Sequence, residues 1–290
     1  MTPVLDILLD PFREFAFMRR GLAATLAIAL GSAPIGVFLV LRRMSLVGDA
    51  TAHAVLPGVG IGFLAAGPSL VAMGAGGFIA ALLVALAAGL VARLTVLRED
   101  ASFAAFYLLA LAAGVLLVSL RGSQVDLMHV LFGTVLAVDD AGLVLVATVA
   151  SATVLLLAAC LRPLVAETLD PGFLHVQRGG GRRWHLLLMV MLVANLVAAF
   201  QVLGTLMAIG LMMLPAAAAR LWGRSLGATI ALAVAFASTS GLVGLLISYY
   251  QDLPSGPTIV LAAGACYVVS LITAPWFGPQ GRHASRQGSR

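Results

Sequence analysis

The sequence predicts an all-α, polytopic membrane protein, and three observations carry that prediction. Of 290 residues, 61% are apolar and only 10% charged, against roughly 25% charged in a soluble domain. The mean hydropathy is +1.08. The apolar residues fall in blocks of about 17 to 23, the length that crosses a hydrocarbon core of roughly 30 Å. So few ionisable groups cannot coat a water-soluble globule of this size.

Residues 1–20 interleave Leu5, Ile7, Leu8, Phe12, Phe15 and Phe17 with Asp6, Asp10, Arg13 and Glu14. That pattern suits a segment lying along the membrane surface. Arg19-Arg20 before an apolar run superficially resembles a twin-arginine export signal. The run from Gly21 to Leu41 is too long for a signal core, however, and ends in Arg42-Arg43 rather than at a small-residue cleavage site. It is a retained span. The transmembrane domain then covers 21–277, with further apolar stretches at about 50–66, 70–92, 102–120, 142–161, 184–201, 203–219, 226–248 and 256–277. Residues 127–138 are apolar but too short to cross, and read as a half-helix or re-entrant element sheltered by protein or water. The stretch 203–219 contains Gly204, Gly210 and Pro215, so the count stands at eight or nine spans.

Arginine positions orient the chain. Placing Arg42, Arg43, Arg93, Arg98, the 162–183 connection, Arg220 and Arg224 inside also puts residues 278–290 inside as a cytoplasmic tail. Arg13, Arg19, Arg20 and Arg121 are the misfits. Asp139-Asp140 and the loop Tyr249–Pro257 face outward in this arrangement.

Composition removes other functions. All 17 basic residues are arginine, which excludes a Walker A loop and any Schiff-base lysine. The chain is therefore expected to hydrolyse no ATP by itself. The net charge of +5 reflects cytoplasmic loops rather than nucleic-acid binding. Cys160 and Cys266 lie inside spans without a CxxC pairing and read as small core residues. No catalytic signature is visible.

Ionisable groups inside a membrane cost roughly 2.5–3.5 kcal/mol each at mid-depth on insertion scales, and so they mark function. In SLVGDATAHAVLPG, Asp49 and His53 stand four apart at the start of the second span, which puts both on one helix face. Carboxylate with neutral imidazole suits zinc, manganese or ferrous iron and suits cuprous copper poorly. The bland reading makes Asp49 a helix cap and His53 an interhelical hydrogen-bonder. Asp126 and His129, three apart and so again on one helix face, form the second candidate pair for a metal, with an interfacial pair touching water as its bland reading. Asp139 and Asp140 read as solvated loop carboxylates. His175, His185 and His283 fall in or beside loops without a metal role. Met189, Met191, Met207, Met212 and Met213 read as packing, and Gly58, Gly60, Gly62, Gly74, Gly76 and Gly77 suit close helix contact.

Four runs carry a family resemblance: PIGVFLVLRRMSLVGDATAHAVLPGVGIGF, VDLMHVLFGTVLAV, QVLGTLMAIGLMMLPAAAARLW and DLPSGPTIVL. In order, from about residue 12 to 277, they resemble the permease subunit of bacterial zinc/manganese/iron ATP-binding-cassette importers. RRMSLVGDA followed by HAVLPG is close to that family's most distinctive signature. The resemblance implies a type II importer permease bundle in the cytoplasmic (inner) membrane. It implies a second permease copy, two ATP-binding subunits that carry the ATP, and an extracytoplasmic metal-binding protein. No permanently bound cofactor is expected, only a transported zinc, manganese or iron ion. Asp49 and His53 match the family's aspartate and histidine along the metal path. The 162–183 connection matches its coupling region, with Asp170-Pro171 at the expected helix start and Phe173 and Leu174 beside it. Downstream, LHVQRGGGRR departs from the alanine-rich helix usual there. The alternatives are a related permease for siderophore, haem or cobalamin, which needs no paired metal ligands, and an ion-coupled secondary transporter, which predicts inverted repeats.

Overall fold

The computed structural model describes residues 10–67, 69–95, 99–120, 138–169 and 181–277. Among them run nine long helices: α1 (Ala16–Leu41), α2 (Ser45–Ala66), α3 (Leu70–Leu94), α4 (Glu99–Leu120), α5 (Asp140–Leu169), α6 (Gly181–Leu203), α7 (Thr205–Trp222), α8 (Leu226–Gln251) and α9 (Ser255–Phe277). Eight of them, all but α4, are long and apolar enough to cross a membrane, and α4 adds an apolar stretch over Ala101–Ala113. This matches the expected all-α class and the count of eight or nine.

The helices pack as two groups around a shared centre. α2, α3 and α4 form one group; α1, α7, α8 and α9 form the other; α6 touches α1, α2, α3, α5 and α7. α1 and α6 are the most buried spans, whereas α3 and α5 bury little. Their exposed Val71, Ile79, Leu83, Val144 and Leu155 face outward because lipid, not water, is the solvent there.

Polar contacts fix the helix directions. Arg20 Nε lies 3.0 Å from Asp140 Oδ1, which sets the start of α1 beside the start of α5. Arg42 pairs with Glu167 at 3.3 Å, which sets their far ends together. Arg20, a misfit by charge counting, is thus neutralised in place, and Arg19 donates to the carbonyls of Phe12 and Arg13. Asp139 is more than a loop carboxylate: its Oδ1 accepts from Gly142 N at 2.8 Å, closing the first turn of α5 as a cap.

Three local features depart from the sequence reading. α1 begins at Ala16, so Arg19 and Arg20 belong to the spanning helix. α5 does not stop near 161. It kinks, with Cys160 at φ −111° and ψ 15° and Pro163 inside, and continues to Leu169. Proline supplies no N–H to the preceding turn and crowds it, so the helix bends there without ending. α6 and α7 meet at the single residue Gly204, with φ 85°, a conformation open to glycine without a Cβ penalty. α7 then returns, so that Arg220 lines one cavity with Phe38, Leu41 and Thr168. At 18 residues, or about 27 Å, the 203–219 region is a full-length helix of its own.

Glycine sets the spacing of α2 and α3. A Cβ at Gly58 would collide with the Gly76 carbonyl and stand 2.6 Å from Ala80 Cβ, while Gly62 meets the Ala72 carbonyl and Gly77 meets Val55. Gly60 faces open space and is an exception to the expected packing role. Gly58→Ala is therefore expected to destabilise the protein by about 1–3 kcal/mol, the cost of overpacking. Gly60→Ala should stay within about 0.5 kcal/mol. Thermal unfolding of both variants in one detergent tests this; equal melting temperatures would refute the close-packing assignment.

Candidate metal path

Asp49 and His53 are held on α2, and how that helix starts decides what they can do. α1 closes with Arg43 N donating to Val40 O at 3.2 Å and Met44 N to Leu39 O at 3.0 Å. Arg43 takes the left-handed φ of 58°, and the buried Met44 follows. This is the Schellman pattern, with arginine where glycine is usual. α2 then begins at Ser45, with Met44 at its N-cap position. Asp49 lies in the second turn and does not cap the helix, contrary to the bland reading.

The pair is preorganised by its own backbone. His53 Nδ1 lies 2.9 Å from the Asp49 carbonyl oxygen and 3.5 Å from Asp49 Oδ1. A main-chain carbonyl only accepts, so Nδ1 carries a proton, and in the neutral imidazole Nε2 keeps its lone pair. That is the usual arrangement for an imidazole that ligates through one nitrogen and is oriented through the other. The Tyr107 ring of α4 meets the imidazole edge-on, with centroids 5.0 Å apart, and restricts its swing. The His53 side chain is 22% exposed and Asp49 49%, so both remain reachable. Thr51, between them in sequence but on another face of the helix, is buried, its hydroxyl donating to Val47 O at 2.6 Å.

α7 closes the other side. A Cβ at Gly48, next to Asp49 in the chain, would stand 2.8 Å from Met212 Cε and 3.8 Å from Met213 Sδ, so the methionine side chains of α7 pack directly on this turn of α2. Met189, Met191, Met207 and Met212 are buried, in keeping with packing. Along α2, Asp49 and His53 lie about 6 Å and 12 Å from the first helical residue. The pair thus sits in the half of the bundle nearer Arg42.

Among the described residues no group of three or more His, Cys, Asp or Glu side chains could hold a metal ion. Asp49 and His53 come together as expected; the other expected residues Asp126, His129, Asp170, Pro171, Phe173 and Leu174 lie outside the described residues. So do His175 and His283. His185, read as lying in or beside a loop, is buried in the second turn of α6, with Nδ1 2.8 Å from Arg42 Nη1. Sequence reading also passed over Asn195 of α6, which donates to Thr153 Oγ1 at 2.7 Å and ties α6 to α5. Cys160 and Cys266 are free and half-buried.

A bundle of helices this long and apolar defines a multi-pass integral membrane protein. Comparison with known proteins specifies the class. Residues 14–274 match the ABC 3 transport family, and the chain belongs to that family. It is 31% identical over 271 residues to the manganese import system permease protein ScaB of Streptococcus parasanguinis, covering 92% of this chain and 94% of the relative. It is 31% identical over 272 residues to the manganese transport system membrane protein MntC of Halalkalibacterium halodurans, covering 93% and 92%. Among solved structures, PsaBC from Streptococcus pneumoniae in complex with Fab superposes with a TM-score of 0.83 at 30% identity, covering 97% of this chain and 98% of that one. An inward-facing metal-chelate type ABC transporter shares the fold, with a TM-score of 0.68 at 16% identity over 87% and 85%. The chain is a multi-pass permease of the cytoplasmic membrane, a transport component rather than an enzyme.

Proposed function

We propose that this permease imports a first-row divalent metal ion, manganese before zinc or iron, and that Asp49 and His53 contact the ion in passage. The observation that carries the reading is the oriented pair itself: a carboxylate one helical turn from an imidazole whose Nε2 is free to ligate. Manganese is favoured by the names of the relatives, and carboxylate with imidazole serves all three metals. Two protein ligands leave further coordination positions to water, which suits a site that must release its ion as readily as it takes it.

The arginine-rich end, with Arg42, Arg43, Arg220 and Arg224, faces the cytoplasm under the positive-inside rule. The ion enters from the opposite end. Two copies of this chain pair with two ATP-binding subunits that carry the ATP, and an extracytoplasmic binding protein delivers the metal. The 170–180 connection between α5 and α6, with Asp170, Pro171, Phe173 and Leu174, docks on the ATP-binding subunit. Asp126 and His129, three apart in sequence, are a second candidate pair for handling the metal.

Uptake of each radiolabelled metal in cells with and without the chain tests the reading. Manganese accumulation at limiting concentration should be lost on deletion and restored by the gene. Restoration of zinc or iron uptake alone would reassign the metal, and no change in any of the three would refute metal import.

A further inference from the structure

A buried ionic cluster sits where three helices end. Arg42, the residue that closes α1, reaches Glu167 Oε1 through Nη2 at 3.3 Å. The same nitrogen lies 3.3 Å from the Glu167 carbonyl oxygen, and Nη1 lies 2.8 Å from His185 Nδ1. The two charged side chains are 9% and 5% exposed. The guanidinium only donates, so His185 Nδ1 accepts and the imidazole carries its proton on Nε2. Glu167 lies two residues before the end of α5, and its carbonyl is among those a helix leaves unsatisfied.

The placement matters more than the pairing. Glu167 and His185 flank the 170–180 connection, on the last turn of α5 and the second turn of α6. Arg42 stands one residue before the tight turn at Arg43, and α2 begins at Ser45. The end of α5, the start of α6 and the start of α2 are therefore joined by one side chain and one tight turn. Asp49 is the fifth residue of that helix. A buried ion pair confers little net stability over apolar packing of the same shape, whereas specifying one arrangement over another is its best-attested use. Glu167 Oε2 is buried without a hydrogen-bond partner. A carboxylate oxygen is costly to leave in that state, and it is available to a different donor in another arrangement of the helix ends.

We propose that Arg42, Glu167 and His185 form a latch that holds the base of α2 against the ends of α5 and α6, so that movement of those helix ends re-aims Asp49 and His53. They are positioning residues for transport and do not contact the metal. The proposal rests on the reading of this chain as the permease of an ATP-driven metal importer.

The test uses the whole complex, permease with its ATP-binding subunit and binding protein, in proteoliposomes. Manganese transported and ATP hydrolysed are measured together. Glu167→Gln and Arg42→Gln should keep basal hydrolysis while losing at least about tenfold in manganese moved per ATP. Arg42→Lys, which keeps the charge without the fork, should recover part of it. If a single variant fails to assemble, Arg42→Gln with Glu167→Gln leaves no unpaired buried charge and should assemble yet remain uncoupled. Normal manganese per ATP in the assembled single or double variants overturns the latch. Failure of the underlying reading is distinct: the unmodified complex would then move no metal at all.

Discussion

Asp49→Asn and His53→Leu are each expected to cut metal uptake at limiting metal by at least tenfold, on the order of 1.4 kcal/mol or more of lost interaction, without greatly lowering protein level. Asn keeps the shape of the aspartate but removes the charge that attracts a divalent ion. Leu keeps comparable bulk against Tyr107, whose ring lies 5.0 Å from the imidazole, but offers no nitrogen. Both substitutions should be structurally mild. Asp49 is 49% exposed and does not cap α2, which starts at Ser45. His53 gives up a local hydrogen bond to the Asp49 carbonyl, and that carbonyl sits within a helix. The measurement is radiolabelled manganese uptake beside membrane abundance by immunoblot. Near-normal uptake by the double variant would remove the pair from the metal path and leave it with a structural role only.

The spans were legible because they are one-dimensional. Each is a run of apolar residues long enough for a bilayer, and arginines mark one end. The candidate pair was legible for the same reason, since four residues on a helix bring two side chains to one face. Helix ends were less so. The break between α1 and α2 depends on Arg43 in a left-handed conformation, where glycine would have signalled a stop. The start of α2 was therefore read too late, and Asp49 was weighed as a cap. The apolar run was read as ending near 161, yet α5 only bends around Cys160 and Pro163 and continues to Leu169, because bonds on either side of the proline sustain the helix.

Contacts between distant segments left no sequence signal. Arg42 and Glu167 are 125 residues apart, and Arg42 and His185 are 143 apart. Glu167 stood in what read as an exposed cytoplasmic connection, and His185 beside it. Arg20 and Asp140 show the same limit. Charge counting treated Arg20 as misplaced, whereas the structure sets a carboxylate oxygen 3.0 Å away.

Replacing both Phe173 and Leu174 with aspartate is expected to separate ATP hydrolysis from uptake while the permease stays in the membrane. α5 ends at Leu169 and α6 begins at Gly181, so the connection is shorter than the 162–183 stretch read from sequence. Asp170-Pro171 has the form of a helix start, with aspartate at the N-cap and proline at the first helical position. Two consecutive large apolar residues follow, in a stretch long enough for one short helix. Apolar anchors of this kind supply much of the affinity of a protein interface when they fill a cleft. Two carboxylates in that cleft would be desolvated without partners, a cost of several kcal/mol. Loss of co-purification of the ATP-binding subunit, or hydrolysis without manganese uptake, is the expected result. The outcome also separates this connection from the metal pair, because Asp49→Asn should lose uptake while still retaining its ATP-binding subunit. Co-purification and transport that both survive the double aspartate would place docking on another part of the arginine-rich face.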